Sequence, residues 1–407
     1  MRDKTVEKLI KAEVRRQNET INLIASENYV SRDVLSALGS VFTNKYAEGY
    51  SRHRYYGGNK FVDELEDLAK TRALKLFHLS PKQWSVNVQA YSGSPANLAA
   101  YLALVPPGEK IMGMRLDMGG HLTHGHRVSF TGKLWHQVPY GVNKKTEKLD
   151  YGEISALAKK EKPFLIVTGY TAYSRRIDFK KFRAIAEACG AILMVDLSHI
   201  AGLVAGKAYP SPFPHADIVT MTTHKTLRGP RSALIFSRKQ YSAAIDKAIF
   251  PGLQGGPHAN QIGAVAVALF EAAKPQFPKY ARQIVKNTKI LASGLQKLGW
   301  RIVSGGTDSH LFLVDTWGRG IGGKEAGDKL ESLGIIVNKN AIPYDTRSPV
   351  DPSGIRLGTA ALTTRGMKER EMLRIAGLIN AALLKNASAA FIQKEVVRLC
   401  RKFPIRV

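Results

Sequence analysis

The chain has 407 residues, 44% hydrophobic and 23% charged, a balance that belongs to folded globular proteins and excludes a disordered or fibrous one. Lys and Arg number 60 against 33 Asp and Glu, a formal charge of +27 that attracts polyanions through a long-range field. The only cysteines, Cys189 and Cys400, exclude a disulfide framework and sit in no metal-binding spacing, so no metal and a cytoplasmic, reducing compartment are expected. The first residues mix acids with bases, and no apolar run approaches membrane-spanning length, so neither a signal segment nor a membrane partner is expected.

In chain order, residues 4 to 17 and 61 to 77 place apolar side chains at helical spacing. Between them, residues 20 to 60 are rich in Gly, Asn, Tyr and Arg and read as a site-forming loop. From about residue 85, the β-rich runs SVNVQ, KIMGM, FLIVTG, AILMVD, DIVTMTT and SALIF alternate with helical stretches at 95 to 104, 152 to 161 and 178 to 188. Such alternation predicts an α/β fold with a mostly parallel sheet wrapped by helices. After Pro257 come long helices over 258 to 273 and 277 to 298, strands near WRIVSG, HLFLVD and IIVNKN, and a helix over 366 to 384. Since 407 residues exceed one ordinary core, the expected organisation is an N-terminal helix and arm over 1–60, a large domain over 61–279 and a smaller C-terminal α/β domain over 280–407.

Three segments carry chemistry. DIVTMTTHKTLRGPR (217 to 231) runs from a strand into a loop where Lys225 stands between His224 and Thr226. A lysine at the end of a buried strand is partly desolvated, as capture of an aldehyde requires, although an isolated HK pair is ordinarily a solvated loop. AILMVDLSHIAGLVAG (191 to 206) ends a strand on Asp196, with His199 three residues on. A carboxylate there can keep a heterocyclic nitrogen protonated, so that the ring draws electrons from a substrate, or it can simply cap a helix. QAYSGSPANLAAYLALV opens a helix after a strand, and Ser92, Gly93 and Ser94 would aim amides and hydroxyls at a phosphate, or Ser94 would only cap. A second glycine-rich loop, FPGLQGGPH at 250 to 258, also precedes a helix. A phosphate cup, a strand-end Asp and a strand-end Lys in that order point to a pyridoxal-phosphate site of the aspartate-aminotransferase fold type (fold type I), with the reaction left open.

The sequence closely resembles the serine hydroxymethyltransferase (glycine hydroxymethyltransferase) family from about residue 15 to the C-terminus. Ten ordered segments carry the likeness: INLIASENYVS, TNKYAEGYSRHRYYGG, SGSPANLAAY, GGHLTHG, VDLSHIAGLVA, TTHKTLRGPR, FPGLQGGP, SGGTDSHLFLVD, VNKNAIPYD and GIRLGT. The resemblance implies a transferase of one-carbon metabolism that interconverts serine and glycine, with pyridoxal phosphate as cofactor and tetrahydrofolate as co-substrate. Matched residue by residue, it implies that Lys225 holds the cofactor, with His224 beside it. It pairs Asp196 with the ring nitrogen, stacks His121 on the ring and sets His199 near the phenolic oxygen. Ser92, Gly93 and Ser94 become the phosphate cup, with Thr171 beside the cofactor. Gly256 and Tyr46 come to that cup from a neighbouring protomer, which implies a homodimer with shared sites, and Gly255 is a further cofactor-binding position. Arg356, assisted by Ser26, takes the amino-acid carboxylate. Glu48 and Tyr56 become the acid/base pair that the second protomer extends to the hydroxymethyl group. The folate positions correspond to Glu48, Tyr55, Leu116, Gly120, His121, Leu122, Asn340, Ser348, Pro349 and Val350.

Some positions depart from the common family pattern. Tyr91 and Pro95 flank the cup, and Thr171 replaces a common Ser. Met118, Asn260 and Val350 change the surroundings of the pteridine, so folate affinity is the property expected to differ. The short segment from Thr123 to Tyr140 favours a dimer over a tetramer. Two alternatives follow: a folate-independent β-hydroxy-amino-acid aldolase or α-methylserine-type transferase, and a basic nucleic-acid-binding protein with a vestigial site. Basic clusters at Lys159 to Lys162, Arg175 to Lys181 and Lys394 to Arg406 motivate RNA binding by one face.

Overall fold

The apolar runs read from the sequence supply most of one seven-stranded sheet in the computed structural model, which describes residues 1–384 and 386–405. Contacts within the chain divide it into two units, Val30–Arg282 and Met1–Tyr29 with Gln283–Val407. Residues 1–60, expected as one arm, are therefore split between the units at Tyr29. The longer helices are α1 (Lys4–Glu19), α2 (Lys60–Leu76), α3 (Gly93–Leu104), α4 (Tyr151–Glu161), α5 (Phe179–Cys189), α6 (Ala259–Ala272), α7 (Phe277–Lys297), α8 (Gly323–Ser332), α9 (Glu369–Leu383) and α10 (Ala389–Lys402).

In the 30–282 unit the strands are β1 (Trp84–Asn87), β2 (Lys110–Met114), β3 (His136–Tyr140), β4 (Leu165–Gly169), β5 (Ile192–Asp196), β6 (Ile218–Thr222) and β7 (Ala233–Arg238), in the order β1-β7-β6-β5-β4-β2-β3. β7 runs antiparallel to both its neighbours, and the pairs from β6 to β3 are parallel. Every residue of β4 and β6 is buried, as expected of strands with helices on both faces. Ile111, Leu165, Val167, Met194, Ile218 and Ile235 pack with Ala96, Ala99, Ala100 and Tyr101 of α3. Each large aliphatic side chain buried this way contributes about 1.5–3 kcal/mol, so α3 is seated firmly on the sheet.

The other unit holds an antiparallel sheet of β8 (Arg301–Ile302), β9 (Leu311–Asp315), β10 (Asn338–Asn340) and β11 (Gly354–Gly358), ordered β8-β9-β11-β10. Ile21 and Leu23 from the N-terminal segment join Phe312, Ile355, Leu357, Ile375 and Val396 in its core. Four elements differ from the sequence reading, among them α8, whose segment has no element in that reading. β3 reads HQVPY, an edge strand with a proline and no apolar run. β11 reads GIRLG, with too few apolar residues to stand out. α10 was legible only as a basic cluster, yet Ile392, Val396, Leu399 and Cys400 form its buried face. Arg406, at the end of that cluster, lies outside the described residues. Among the described residues, no helix is long and apolar enough to cross a membrane.

Candidate active site

The parallel strands end together, and their carboxyl ends carry the residues singled out in the sequence. Gly169 at the end of β4 is in register with Asp196 at the end of β5, and Asp196 with Thr220 of β6. Ligands of open α/β sheets bind at this edge. Asp196 caps no helix. Its Oδ1 accepts from the Ser198 N–H at 2.9 Å, and its Oδ2 accepts from Asn97 Nδ2 at 2.9 Å and meets His124 Nε2 at 3.2 Å. Burial alone would raise this carboxyl, but hydrogen bonding from His124 and Ser198 holds it well below the usual carboxylate range. A buried, fully ionised Asp196 results.

His124 and Asn97 are the residues that sequence reasoning missed here. The His121 N–H donates to His124 Nδ1 at 3.3 Å, so Nε2 carries the proton that points at Asp196. Asn97, one turn into α3, also donates to Thr123 Oγ1 at 2.9 Å and accepts from Thr220 Oγ1 at 2.7 Å. It thereby ties the helix that begins at the serine-glycine cup to β5 and β6. The i, i+3 spacing of the two histidines in GGHLTHG was the available signal for His124; for Asn97 only its place one turn beyond the cup offered one. His121 itself is pushed down to about 4 by burial and by the neighbouring His124, so it is neutral near pH 7.

Lys225 lies three residues beyond β6 and is only 9% exposed. Its loop is closed by Gly229 N–H donating to Thr223 O at 2.7 Å. Thr226 pins it to the segment after β5, donating to His199 O and accepting from the Gly202 N–H, both at 3.0 Å. His199 is buried as well. Burial and the nearby Lys225 push His224 down to about 3, and His224 Nδ1 is buried without a hydrogen-bond partner.

Ser92 is the N-cap of α3 rather than Ser94, and its hydroxyl makes no capping bond. First-turn N–H groups have no intrahelical acceptor, so this end of α3 suits an anion. Gly93 is forced by close approach: a Cβ there would stand 2.7 Å from Thr222 Cγ2. Thr171 donates its N–H to Gly119 O at 2.7 Å, beside Leu116 and Gly120, whose N–H bonds Arg115 O at 2.8 Å. Leu116 and Leu122 are both exposed.

A second cluster gathers the residues of the YAEGY and QGGP loops. Tyr46 OH donates to Glu48 Oε1 at 2.9 Å, and the Tyr46 and Tyr56 rings meet edge to face at 5.0 Å. A Cβ on Gly255 would lie 3.1 Å from Glu48 Oε1, and one on Gly256 3.3 Å from the Tyr46 ring. Tyr91, next to the cup, donates its OH to Gly256 O at 2.7 Å and stacks on His258 at 4.2 Å. Tyr46, Tyr55 and Tyr56 are all exposed, Tyr55 at 75%.

In the other unit, Arg356 sits mid-strand in β11, buried, with Nε donating to Asn338 Oδ1 at 3.0 Å. Burial lowers this guanidinium to about 10, still charged at neutral pH. The segment before Ser26 lies on the same strand, since Gly358 N–H donates to Leu23 O at 2.8 Å and Gly358 packs against Ala25. Asn340 of β10 is paired with Gly354. The turn holding Ser348, Pro349 and Val350 is braced by Asp345, which accepts from the Arg347 and Ser353 N–H groups at 2.9 Å each. Val350 remains exposed.

A buried ionised carboxylate, an uncapped helix start, a close-packed glycine, an orphaned imidazole nitrogen and a buried lysine fit the ring, phosphate and aldehyde of pyridoxal phosphate. The profile of the family described as Serine hydroxymethyltransferase matches residues 1–379. The chain belongs to the serine hydroxymethyltransferase family. A serine hydroxymethyltransferase from Acidobacterium capsulatum is 54% identical over 99% of this chain and 94% of its own length. One from Koribacter versatilis is 52% identical over the same shares. The family is pyridoxal-phosphate dependent, uses tetrahydrofolate as co-substrate and transfers a hydroxymethyl group between serine and glycine. Membership supports the expected activity and fold class, and favours neither the folate-independent enzyme nor the vestigial binder.

Proposed function

We propose that this chain interconverts L-serine plus tetrahydrofolate and glycine plus 5,10-methylenetetrahydrofolate through Lys225, Asp196, His121, His199, His224 and the Ser92–Ser94 cup. The observation that carries the assignment is Asp196, ionised though buried, flanked at the strand ends by the Lys225 loop and the start of α3. The cofactor's protonated ring takes up electrons from the amino acid when bound. Asp196 holds the proton on the ring nitrogen, and neutral His121 packs over the ring without adding charge. Ser92, Gly93 and Ser94 hold the phosphate, Thr171 fills the neighbouring wall, and Arg356 with Ser26 orients the substrate carboxylate. Glu48 and Tyr56 move the proton at the serine hydroxyl. Tyr55, Leu116, Gly120, Leu122, Asn340 and Ser348 to Val350 take the folate. Lys225→Ala is expected to remain folded but lose the absorbance of the lysine-bound cofactor and all serine turnover with folate. An unchanged spectrum would reject the assignment.

The site is completed by a second copy of the chain, lending Tyr46, Glu48, Tyr56, Gly255 and Gly256. Support comes from the three exposed tyrosines and from α1, in which no residue is buried and Val6, Leu9, Ile10 and Val14 form an exposed apolar stripe. The compartment proposed is the cytoplasm, in keeping with two free cysteines. RNA is a further proposed partner. A cavity of about 420 Å³ between α9 and α10 is lined by Arg370, Arg374, Arg398 and Lys402, with Glu395 pairing Arg374 and Arg398. Filter retention of RNA that falls steeply with salt is expected; no retention at any salt concentration would remove this partner.

A further inference from the structure

Glu66 is a fully buried carboxylate that the proposed chemistry does not use. Burial of a charge is costly unless it is paired and hydrogen-bonded. Glu66 Oε2 accepts from Arg54 Nη2 at 2.7 Å and from Gln89 Nε2 at 3.0 Å, and Lys70 Nζ lies 2.6 Å from Oε1. Arg54 is nearly as buried, its side chain 4% exposed. Its Nε donates to Asp63 Oδ1 at 2.9 Å, and its Nη1 donates to Ala47 O at 3.0 Å and Gly49 O at 2.7 Å.

The two carbonyls that Arg54 grips belong to the residues on either side of Glu48. The carbonyl of Glu48 itself accepts from the Tyr55 N–H at 3.1 Å. Three consecutive peptides are thus fixed. Gly49, at φ +92, makes the turn, and a Cβ there would stand 2.2 Å from His53 O. The network continues through Gln89, whose Nε2 also donates to Gly49 O at 3.0 Å and whose backbone O accepts from Gln254 Nε2 at 2.8 Å. Gln254 Oε1 in turn accepts from the Tyr91 N–H at 3.1 Å. One buried polar chain therefore runs from the Glu48 loop to the loop of Gly255 and Gly256 and to the residue before the phosphate cup.

We propose that Arg54, anchored on the buried Glu66 and Asp63 carboxylates, is the positioning residue for Glu48, holding the backbone on both sides of it so that its carboxylate stays on the Tyr46 hydroxyl. Arg54 touches no substrate and acts through Glu48, so the inference rests on Glu48 being the acid/base residue. A planar guanidinium can bridge two carbonyls and two carboxylates at once, whereas an ammonium is a point charge that cannot span them. Arg54→Lys keeps a cation opposite Glu66 while releasing the loop.

The test is a double-mutant cycle in the full-length, cofactor-loaded protein with Arg54→Lys, Glu48→Gln and their combination, followed by serine turnover with tetrahydrofolate. Arg54→Lys is expected to lower kcat at least tenfold with the serine KM and the bound-cofactor absorbance held within about twofold. The double variant should be no slower than Glu48→Gln alone. Losses that multiply, or an unaffected kcat in Arg54→Lys, would overturn the positioning role. Full activity in Glu48→Gln would instead refute the acid/base reading on which the proposal rests. If Arg54→Lys does not fold, Asp63→Asn, which loosens the Nε contact and the Arg52 N–H bond to the same carboxylate while leaving the Arg54 guanidinium on Glu66, is expected to give a two- to threefold loss of kcat that vanishes in the Glu48→Gln background. Persistence of that loss would equally overturn the proposal.

Discussion

His121 and His224 are neutral because of where they are held, and this has a measurable consequence. His121 titrates at about 4 and His224 at about 3 in the folded chain, against an ordinary 6.5. Burial is the first cause for both, with His124 beside the one and Lys225 beside the other. Each ring binds protons less readily folded than unfolded. The unfolded chain therefore takes up the extra protons below about pH 6.5, so stability is complete above that pH and falls as the pH drops towards 4, by about 1.4 kcal/mol per pH unit for each ring. Asp196 works in a different window: its depressed folded value stabilises the protein above the unfolded carboxylate range and costs stability only in strong acid. Urea midpoints of cofactor-stripped protein should decline between pH 7 and pH 5. His224→Asn should flatten that decline, and an identical slope in both proteins would refute the neutral buried imidazole.

At the scale of elements, the contact between α3 and β6 decides whether the phosphate cup can form. Gly93 opens α3 within van der Waals reach of Thr222, and an added methyl would stand 2.7 Å from Thr222 Cγ2. Neither partner moves easily: Thr222 donates its Oγ1 to Ser198 O at 3.1 Å and its N–H to Ser198 Oγ at 3.2 Å. Gly93→Ala should therefore push the helix start off the strand end and weaken pyridoxal-phosphate binding by at least tenfold, about 1.4 kcal/mol. Thr222→Ser keeps the hydroxyl and removes the offending methyl, so the double variant should recover most of the affinity. Spectrophotometric titration of stripped protein measures both. Equal weakness of the single and double variants would show that the clash is not the cause.

This contact also illustrates what was legible in the sequence. β4, β5 and β6 are continuous apolar runs, and a strand buried on both faces announces itself through such a run. Asp196, Lys225 and the SGS turn could be ranked because each stands at or just beyond the end of a readable strand, β5, β6 and β1 respectively. Asn97, Gln89 and Gln254 could not, since a polar side chain inside a helix or loop carries no sign of the distant partner that satisfies it. Arg54 was read only as part of a family segment, because its four acceptors come from residues 47, 49, 63 and 66 and no periodicity links them. β3 and β11 were missed for the opposite reason: tertiary pairing makes them strands despite weak local pattern.

For the whole molecule, the placement of the two site clusters leads to a complementation experiment. Lys225 and Asp196 stand at strand ends, while Glu48 and Tyr56 lie on an exposed tyrosine-rich loop. If a partner copy lends that loop, Lys225→Ala and Glu48→Gln disable different halves of each composite site. A mixed dimer then contains one site with both residues intact and one with neither. Equal mixing with free exchange of subunits should restore full activity at on the order of a quarter of all sites, from one inactive protein and one of strongly reduced activity. The same mixture should gain no activity over its separate components if every site is built from one chain. A third protein separates slow exchange from that outcome: Leu9→Lys, on the exposed stripe of α1, is expected to shift the molecule towards monomer in sedimentation and to lose folate-dependent turnover with it. Full turnover by a monomeric Leu9→Lys protein would rule out the lent loop whatever the mixing experiment gives.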